Sequence, residues 1–65
     1  MRIRVNGEPR DIAAPTLEEL LGELGYEEQL VATALNQAFV RAKDRSETKL
    51  RDGDAVEILA PKQGG

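Results

Sequence analysis

The sequence predicts an α+β fold in which one amphipathic helix packs on one face of a mixed sheet of four to five strands. Alternating polar and apolar residues indicate strands near both ends of the chain, and one leucine stripe indicates a helix between them. Such a stripe must be buried against another element, here a sheet face. With 65 residues, we expect a single domain over 1–60 and a flexible C-terminal tail over 61–65.

The first two strands form a predicted hairpin. Residues 2–6 alternate between polar and apolar side chains, which is typical of a half-buried strand. Asn6-Gly7 follows, and this pair favours a tight hairpin turn because both positions adopt positive φ readily. A second strand over roughly Glu8–Ala14 would then direct Ile12 toward the core.

A helix is predicted over residues 17–24. Thr16 is a good N-cap, and a glutamate three residues later completes a capping box. Gly25 is placed to end the helix in a left-handed conformation. The apolar stripe has helical spacing and consists of Leu17, Leu20, Leu21 and Leu24. We interpret three glutamates as the solvated face of this helix: Glu18, Glu19 and Glu23.

Two strands follow the helix. Val31–Asn36 is a nearly continuous apolar run, which we interpret as a central strand buried on both faces. Asn36-Gln37 is a plausible turn into a short strand over Ala38–Arg41. The polar segment Ala42–Lys49 is predicted to be a loop or one loose helical turn.

The last strand, Ala55–Ala60, begins after the tight turn Asp52-Gly53-Asp54. The two aspartates and nearby Glu57 do not have the spacing of a calcium-binding loop, so we interpret them as turn and surface residues. The element order β-β-α-β-β-β describes the β-grasp (ubiquitin-like) architecture. In that arrangement the first and last long strands lie side by side and parallel at the centre of the sheet.

Composition excludes several classes of function. The sequence has no cysteine and no histidine, which removes disulfides, thiolate zinc sites and the commonest general base. A chain this small has no room for an enclosed active site, so we do not expect an enzyme. The net charge of −3 and two aromatic residues argue against nucleic-acid binding. Without a membrane span or signal peptide, we expect a cytoplasmic protein that is monomeric when free.

The C-terminal pair Gly64-Gly65 is the first candidate for chemistry. Two glycines place the terminal carboxylate on a freely rotating segment without neighbouring side chains. Such an end can enter a narrow slot in another enzyme and attack ATP, which would make the chain a substrate and its partner the catalyst. A passive tail is the alternative interpretation.

Leu59 is the second candidate. If Val56 and Ile58 face the helix, the alternation of the last strand directs Glu57 and Leu59 to the opposite, open face of the sheet. Beside a functional tail, Leu59 would be a docking point for a partner, whereas an isolated exposed leucine needs no function.

The residues also resemble a known family. The segments Val31-Ala32-Thr33-Ala34-Leu35-Asn36 and Leu50-Arg51-Asp52-Gly53-Asp54-Ala55-Val56-Glu57-Ile58, together with the final Gly64-Gly65, are similar to the ThiS family of sulfur carriers of thiamine biosynthesis. The likeness covers essentially the whole chain. It departs from the family at Arg41-Ala42, where a proline is common.

The resemblance implies that a ThiF-type enzyme adenylates the Gly65 carboxylate with ATP and Mg²⁺, and that no cofactor is bound stably by the carrier itself. The carboxylate would become a thiocarboxylate with sulfur from a cysteine desulfurase, and thiazole synthase (ThiG) would take that sulfur. The final sulfur acceptor stays open on the residues alone. Alternatives are the small subunit of molybdopterin synthase, a carrier for tRNA thiolation or cysteine synthesis, a ubiquitin-like protein modifier, and a scaffolding β-grasp module.

Overall fold

A computed structural model describes residues 1–61 of the chain. Lys62, Gln63, Gly64 and Gly65, and with them most of the predicted tail, lie outside the described residues. The elements, in chain order, are β1 (Arg2–Val5), β2 (Glu8–Asp11), α1 (Leu17–Leu24), a 3-10 turn (Glu28–Leu30), β3 (Ala32–Leu35), β4 (Ala38–Val40), a 3-10 helix (Ala42–Glu47) and β5 (Ala55–Leu59).

The strands form one mixed sheet in the order β2-β1-β5-β3-β4. β1 and β5 pair in parallel, with Arg4 beside Ala55 and Val5 beside Val56, while the other neighbours are antiparallel. The predicted β-grasp arrangement is therefore confirmed, including the parallel central pair formed by the first and last strands.

The helix is confirmed at both ends. The Thr16 hydroxyl oxygen accepts a hydrogen bond from the Glu19 N–H at 3.2 Å, and the hydroxyl also lies 3.2 Å from Glu19 Oε2. Gly25 ends the helix with φ of 83°, and the Tyr26 N–H donates to the Leu21 carbonyl at 2.9 Å. This pattern of a left-handed residue and returning N–H groups satisfies the last carbonyls of the helix.

The core lies between α1 and one face of the sheet. Leu17, Leu20 and Leu21 have no exposed surface. They pack with apolar side chains from the strands and loops, namely Ile3, Val5, Ile12, Ala14, Leu50, Val56 and Ile58. Within residues 1–61, no helix is long and apolar enough to cross a membrane.

The second strand is shorter than predicted, because it ends at Asp11. Ile12 is buried as expected, but it follows the strand. The next two N–H groups, of Ala13 and Ala14, donate to the Glu23 carboxylate at 2.9–3.3 Å instead of to a strand. Glu23 is exposed, as expected for the solvated face of the helix, and its carboxylate has the further role of holding this loop against the helix.

The prediction that Val31–Asn36 is buried on both faces was wrong. β3 lies inside the sheet between β5 and β4, yet Ala32 is exposed and Ala34 is half-buried. Thr33 is buried, because it is paired with Ile58 of β5, whose side chain faces the helix. The single helix covers one face of the sheet, and alanine gives an apolar sequence pattern without needing a covered position.

Candidate functional site

The strand alternation of β5 places Leu59 on the open face of the sheet, as predicted. Val56 and Ile58 are buried toward the helix, whereas the Leu59 side chain is 72% exposed. Gly64 and Gly65, the predicted covalent carrier and tail, lie outside the described residues. The structure therefore describes the surface from which the tail departs.

Leu59 belongs to an apolar depression on the open face, which we call the sheet patch. Leu59 and Phe39, which is 69% exposed, flank this depression of about 90 Å³. The register pairs Ala32 with Leu59 and Ala34 with Phe39, so that two small side chains lie between two large ones. Glu57, beside Ala34, is the charged residue of the patch.

Phe39 was not assigned to this surface from the sequence. The sequence predicts a strand over Ala38–Arg41 without indicating which face of the sheet Phe39 is on, and the observed strand is Ala38–Val40. The signal was indirect, since a two-residue turn at Asn36-Gln37 fixes Phe39 opposite Ala34. The turn itself is confirmed, with φ of 50° at Asn36 and 74° at Gln37.

The other half of the open face is polar. Arg2 Nε and Asp11 Oδ1 are 3.1 Å apart on paired positions of β1 and β2. The hydrogen bond from the Arg2 guanidinium, reinforced by its charge, lowers the pKa of Asp11, and Asp11 in turn raises the pKa of Arg2. Both side chains are largely exposed, so this pair contributes little to stability.

A second depression lies at the end of β5, beside the C-terminal end of α1. We call it the exit groove; it has a volume of about 170 Å³. Tyr26 and Val31, which also pack against the core, form part of its wall with the 45% exposed Leu30. Its described lining is completed by Gly25, Glu27, Ala60 and Pro61. The groove thus lies where the chain leaves the sheet.

A buried arginine supports the wall of this groove. Arg45 is 2% exposed and donates to the carbonyl oxygens of Glu28 and Val31, each at 2.7 Å. Its Nε also donates to the Thr33 hydroxyl at 3.1 Å, and that hydroxyl donates to the Val40 carbonyl at 2.9 Å. No sequence signal indicated this role, because Arg45 stands in a run of polar residues.

The acidic residues near β5 act in turns, as predicted. Asp52 Oδ1 accepts from the Arg2 N–H, and Asp54 Oδ2 accepts from the Arg51 N–H, both at 2.8 Å. Gly53 between them has φ of 90°, which a turn of this kind requires. Among residues 1–61, no cluster of three or more acidic, histidine or cysteine side chains has the geometry to hold a metal ion.

Comparison with known proteins gives a consistent result. The family model described as the ThiS family matches residues 3–65. The sulfur carrier protein ThiS of Thermus thermophilus is 44% identical over 61 residues, which cover 94% of this chain and 95% of that protein. A thiazole synthase of Paramagnetospirillum magneticum is 39% identical over the whole of this chain, which spans 20% of its length.

Two solved structures of a thiamine biosynthesis protein from Geobacter metallireducens have the same fold. The crystal structure, described as ThiS, has a TM-score of 0.82 and 33% identity, with both chains fully covered. The solution NMR structure has a TM-score of 0.84 and 32% identity, covering all of this chain and 88% of the other.

Proposed function

The chain belongs to the ThiS family, and on that premise we propose that it is a sulfur carrier of thiamine biosynthesis that bears sulfur on the Gly65 carboxylate. The observation that carries the proposal is the family match, which extends through Gly65. The absence of cysteine from the sequence supports it further, because the carrier has no thiol on which to bear sulfur. The chain is therefore a co-substrate of its partners and not a catalyst.

The proposed chemistry takes place in the active site of an adenylating partner of the ThiF type. A carboxylate oxygen of Gly65 attacks the α-phosphorus of ATP bound with Mg²⁺, and pyrophosphate leaves. AMP then makes the acyl carbon a good electrophile. The outer sulfur of a persulfide formed by a cysteine desulfurase displaces AMP and gives an acyl disulfide. A thiol then attacks the sulfur of that disulfide that belongs to the partner, forms a new disulfide with it, and releases the carrier as a thiocarboxylate. ATP and Mg²⁺ are cofactors of the partner in this scheme.

Thiazole synthase is the proposed acceptor of that sulfur. A protein named thiazole synthase contains a segment similar to this entire chain, which supports a working association between the two kinds of protein. In this proposal the thiocarboxylate sulfur of the carrier enters the thiazole ring.

The sheet patch is the proposed docking surface for the adenylating enzyme. Leu59 and Phe39 together present a large apolar area on a small domain, and apolar patches of this kind commonly mark protein interfaces. Leu59 is also the last residue of β5, so docking there brings the partner close to the departing tail.

The direct test is the intact mass of the chain after incubation with its cognate activating enzyme, ATP, Mg²⁺ and a sulfide source. We expect the mass gain that corresponds to replacement of one oxygen by sulfur, and its loss when Gly65 is deleted. Deletion moves the carboxylate by about 3.3–3.6 Å, more than in-line attack on the α-phosphorus tolerates. A mass gain in the deletion variant would contradict the role of Gly65, and an adduct through a lysine would identify a protein modifier instead.

A further inference from the structure

The length of the tail limits how far a partner's catalytic site can be from the described surface. Four residues follow Pro61, and a fully extended chain spans at most about 3.3–3.6 Å per residue. The Gly65 carboxylate therefore lies within about 13–14 Å of Pro61 at full extension. An enzyme that receives the carboxylate must bring the mouth of its active site up to the end of β5.

The sheet patch and the exit groove both reach the end of β5. Leu59 lies in the sheet patch on the open face, while the next two residues, Ala60 and Pro61, line the exit groove beside the helix end. An enzyme that surrounds the departing chain therefore faces the exit groove as well as the sheet patch. Even an enzyme that docks mainly on the open face would therefore have the rim of its active site next to the exit groove.

Hydrogen bonds fix the main chain on both sides of the exit groove. The two guanidinium bonds from Arg45 hold the carbonyls of Glu28 and Val31 on one side of it. The left-handed Gly25 and the bond from the Tyr26 N–H to the Leu21 carbonyl hold the other side. A preformed depression costs less conformational entropy on binding than one that must be ordered by the partner.

The two surfaces also have lining charge of the same sign. The exit groove has one charged lining residue among those described, Glu27, and the sheet patch has Glu57. Each is thus a depression with several apolar lining residues and one acidic residue, on a chain whose net charge is −3. A complementary surface presents apolar side chains accompanied by lysine or arginine.

We propose that the exit groove is a second docking surface for the ATP-dependent adenylating enzyme, filled by an apolar side chain from the rim of its carboxylate-binding slot. A basic group on that rim pairs with Glu27. The inference rests on the proposed function. The new element is that the enzyme contacts the carrier on both faces of the sheet where the tail begins, with Leu30 as the main contact on the helix side.

The test is ATP–pyrophosphate exchange by the cognate activating enzyme, with the carrier as the varied substrate. Leu30→Asp should raise the KM for the carrier roughly tenfold or more with kcat nearly unchanged, because the variant impairs docking and leaves the carboxylate intact. Glu27→Gln should raise the KM roughly two- to fivefold at low ionic strength, and salt should abolish that difference. Arg10→Ser, at the exposed outer strand β2, is the control and should have the KM of the wild type.

A second measurement separates docking from chemistry. The Gly65 deletion should inhibit exchange competitively, because it keeps both docking surfaces without a correctly placed carboxylate. Adding Leu30→Asp to this deletion should weaken the inhibition by the same factor. Circular dichroism checks the fold of each variant.

The outcomes are distinct. Absence of exchange with the wild-type chain would overturn the proposed function and this inference with it. Normal exchange by the wild type together with an unchanged KM and unchanged inhibition for the Leu30→Asp chains would overturn the inference alone. A loss of kcat without a change in KM would also overturn it, since docking would then not be the affected step.

Discussion

Asn6 holds Ile58 through both ends of its side-chain amide. The Ile58 N–H donates to Asn6 Oδ1 at 2.8 Å, and Asn6 Nδ2 donates to the Ile58 carbonyl at 3.2 Å. The side chain thereby extends the parallel pairing of β1 and β5 beyond Val5, where the main chain turns into the first hairpin. Because Ile58 directly precedes Leu59, this contact fixes the end of β5 from which both proposed docking surfaces are displayed.

Replacement of Asn6 should therefore destabilise the domain. Asn6→Ala removes both bonds to Ile58 and places a residue that disfavours positive φ at 52°, so we expect a loss of about 1–3 kcal/mol in the free energy of unfolding. Asn6→Gly is the matched variant, because it tolerates the backbone conformation yet lacks the amide. It should lose less than alanine but still fall below the wild type in urea unfolding. Wild-type stability in both variants would show that the amide bonds contribute nothing.

The leucine stripe of the helix carries much of the core. Leu20→Ala and Leu21→Ala each remove a side chain with no exposed surface, and each should cost about 2–5 kcal/mol. A domain of this size has little more stability than that to lose. Glu18→Ala, on the exposed face of the same helix, is the control. Thermal midpoints equal to the wild type for both leucine variants would contradict their place in the core.

Arg45 should behave as a structural residue whose charge is satisfied by carbonyl oxygens. Arg45→Met leaves the carbonyls of Glu28 and Val31 without their donor, and we expect a loss of about 2–4 kcal/mol in urea unfolding. Arg45→Lys should also destabilise, because one ammonium cannot reproduce the planar fork that reaches three acceptors. Amide exchange around Leu30 should accelerate in both variants. Unchanged exchange there would mean that Arg45 does not support the groove wall.

The Arg2–Asp11 pair predicts a particular titration. Its hydrogen bond and charge lower the pKa of Asp11, so the contribution of this pair is present above the ordinary aspartate pKa and is lost as pH falls through the lowered value. Carbon-detected NMR titration of the Asp11 carboxyl should report a lower pKa in the wild type than in Arg2→Gln. Arg4→Gln, two residues along the same face, should leave it unchanged. Equal values in the wild type and Arg2→Gln would refute the assignment.

The sheet patch makes a further functional prediction. Leu59→Glu and Phe39→Glu should each raise the KM for the carrier in pyrophosphate exchange by roughly tenfold or more, about 1.4 kcal/mol, because a buried unpaired charge opposes docking. Both positions are exposed, so circular dichroism should report a normal fold. Arg10→Ser again serves as the control. If Leu59→Glu has a normal KM, the partner does not dock on the open face.

Signals that act over a few residues were sufficient to predict the framework of this protein from its sequence. The helix needs only its cap, its stripe and Gly25, and the hairpin turn at Asn6-Gly7 needs only residues that accept positive φ. The alternation at Val56–Leu59 likewise determines which side chains face the helix. These features depend on backbone geometry that repeats every two to four residues, and the leucine stripe then requires a sheet face to cover it.

Contacts between distant segments were decided by the tertiary structure alone. Glu23 receives the N–H groups of Ala13 and Ala14, and Arg45 reaches carbonyls 14 and 17 residues earlier in the chain. A polar residue that binds main-chain groups of a distant segment has the same sequence signature as one that contacts only solvent, because its partners are backbone groups present at every position. The exposure of one face of β3 could not be predicted for a related reason, since alanine is compatible with either a covered or an exposed face of a sheet. Which side is covered depends on where the single helix comes to rest.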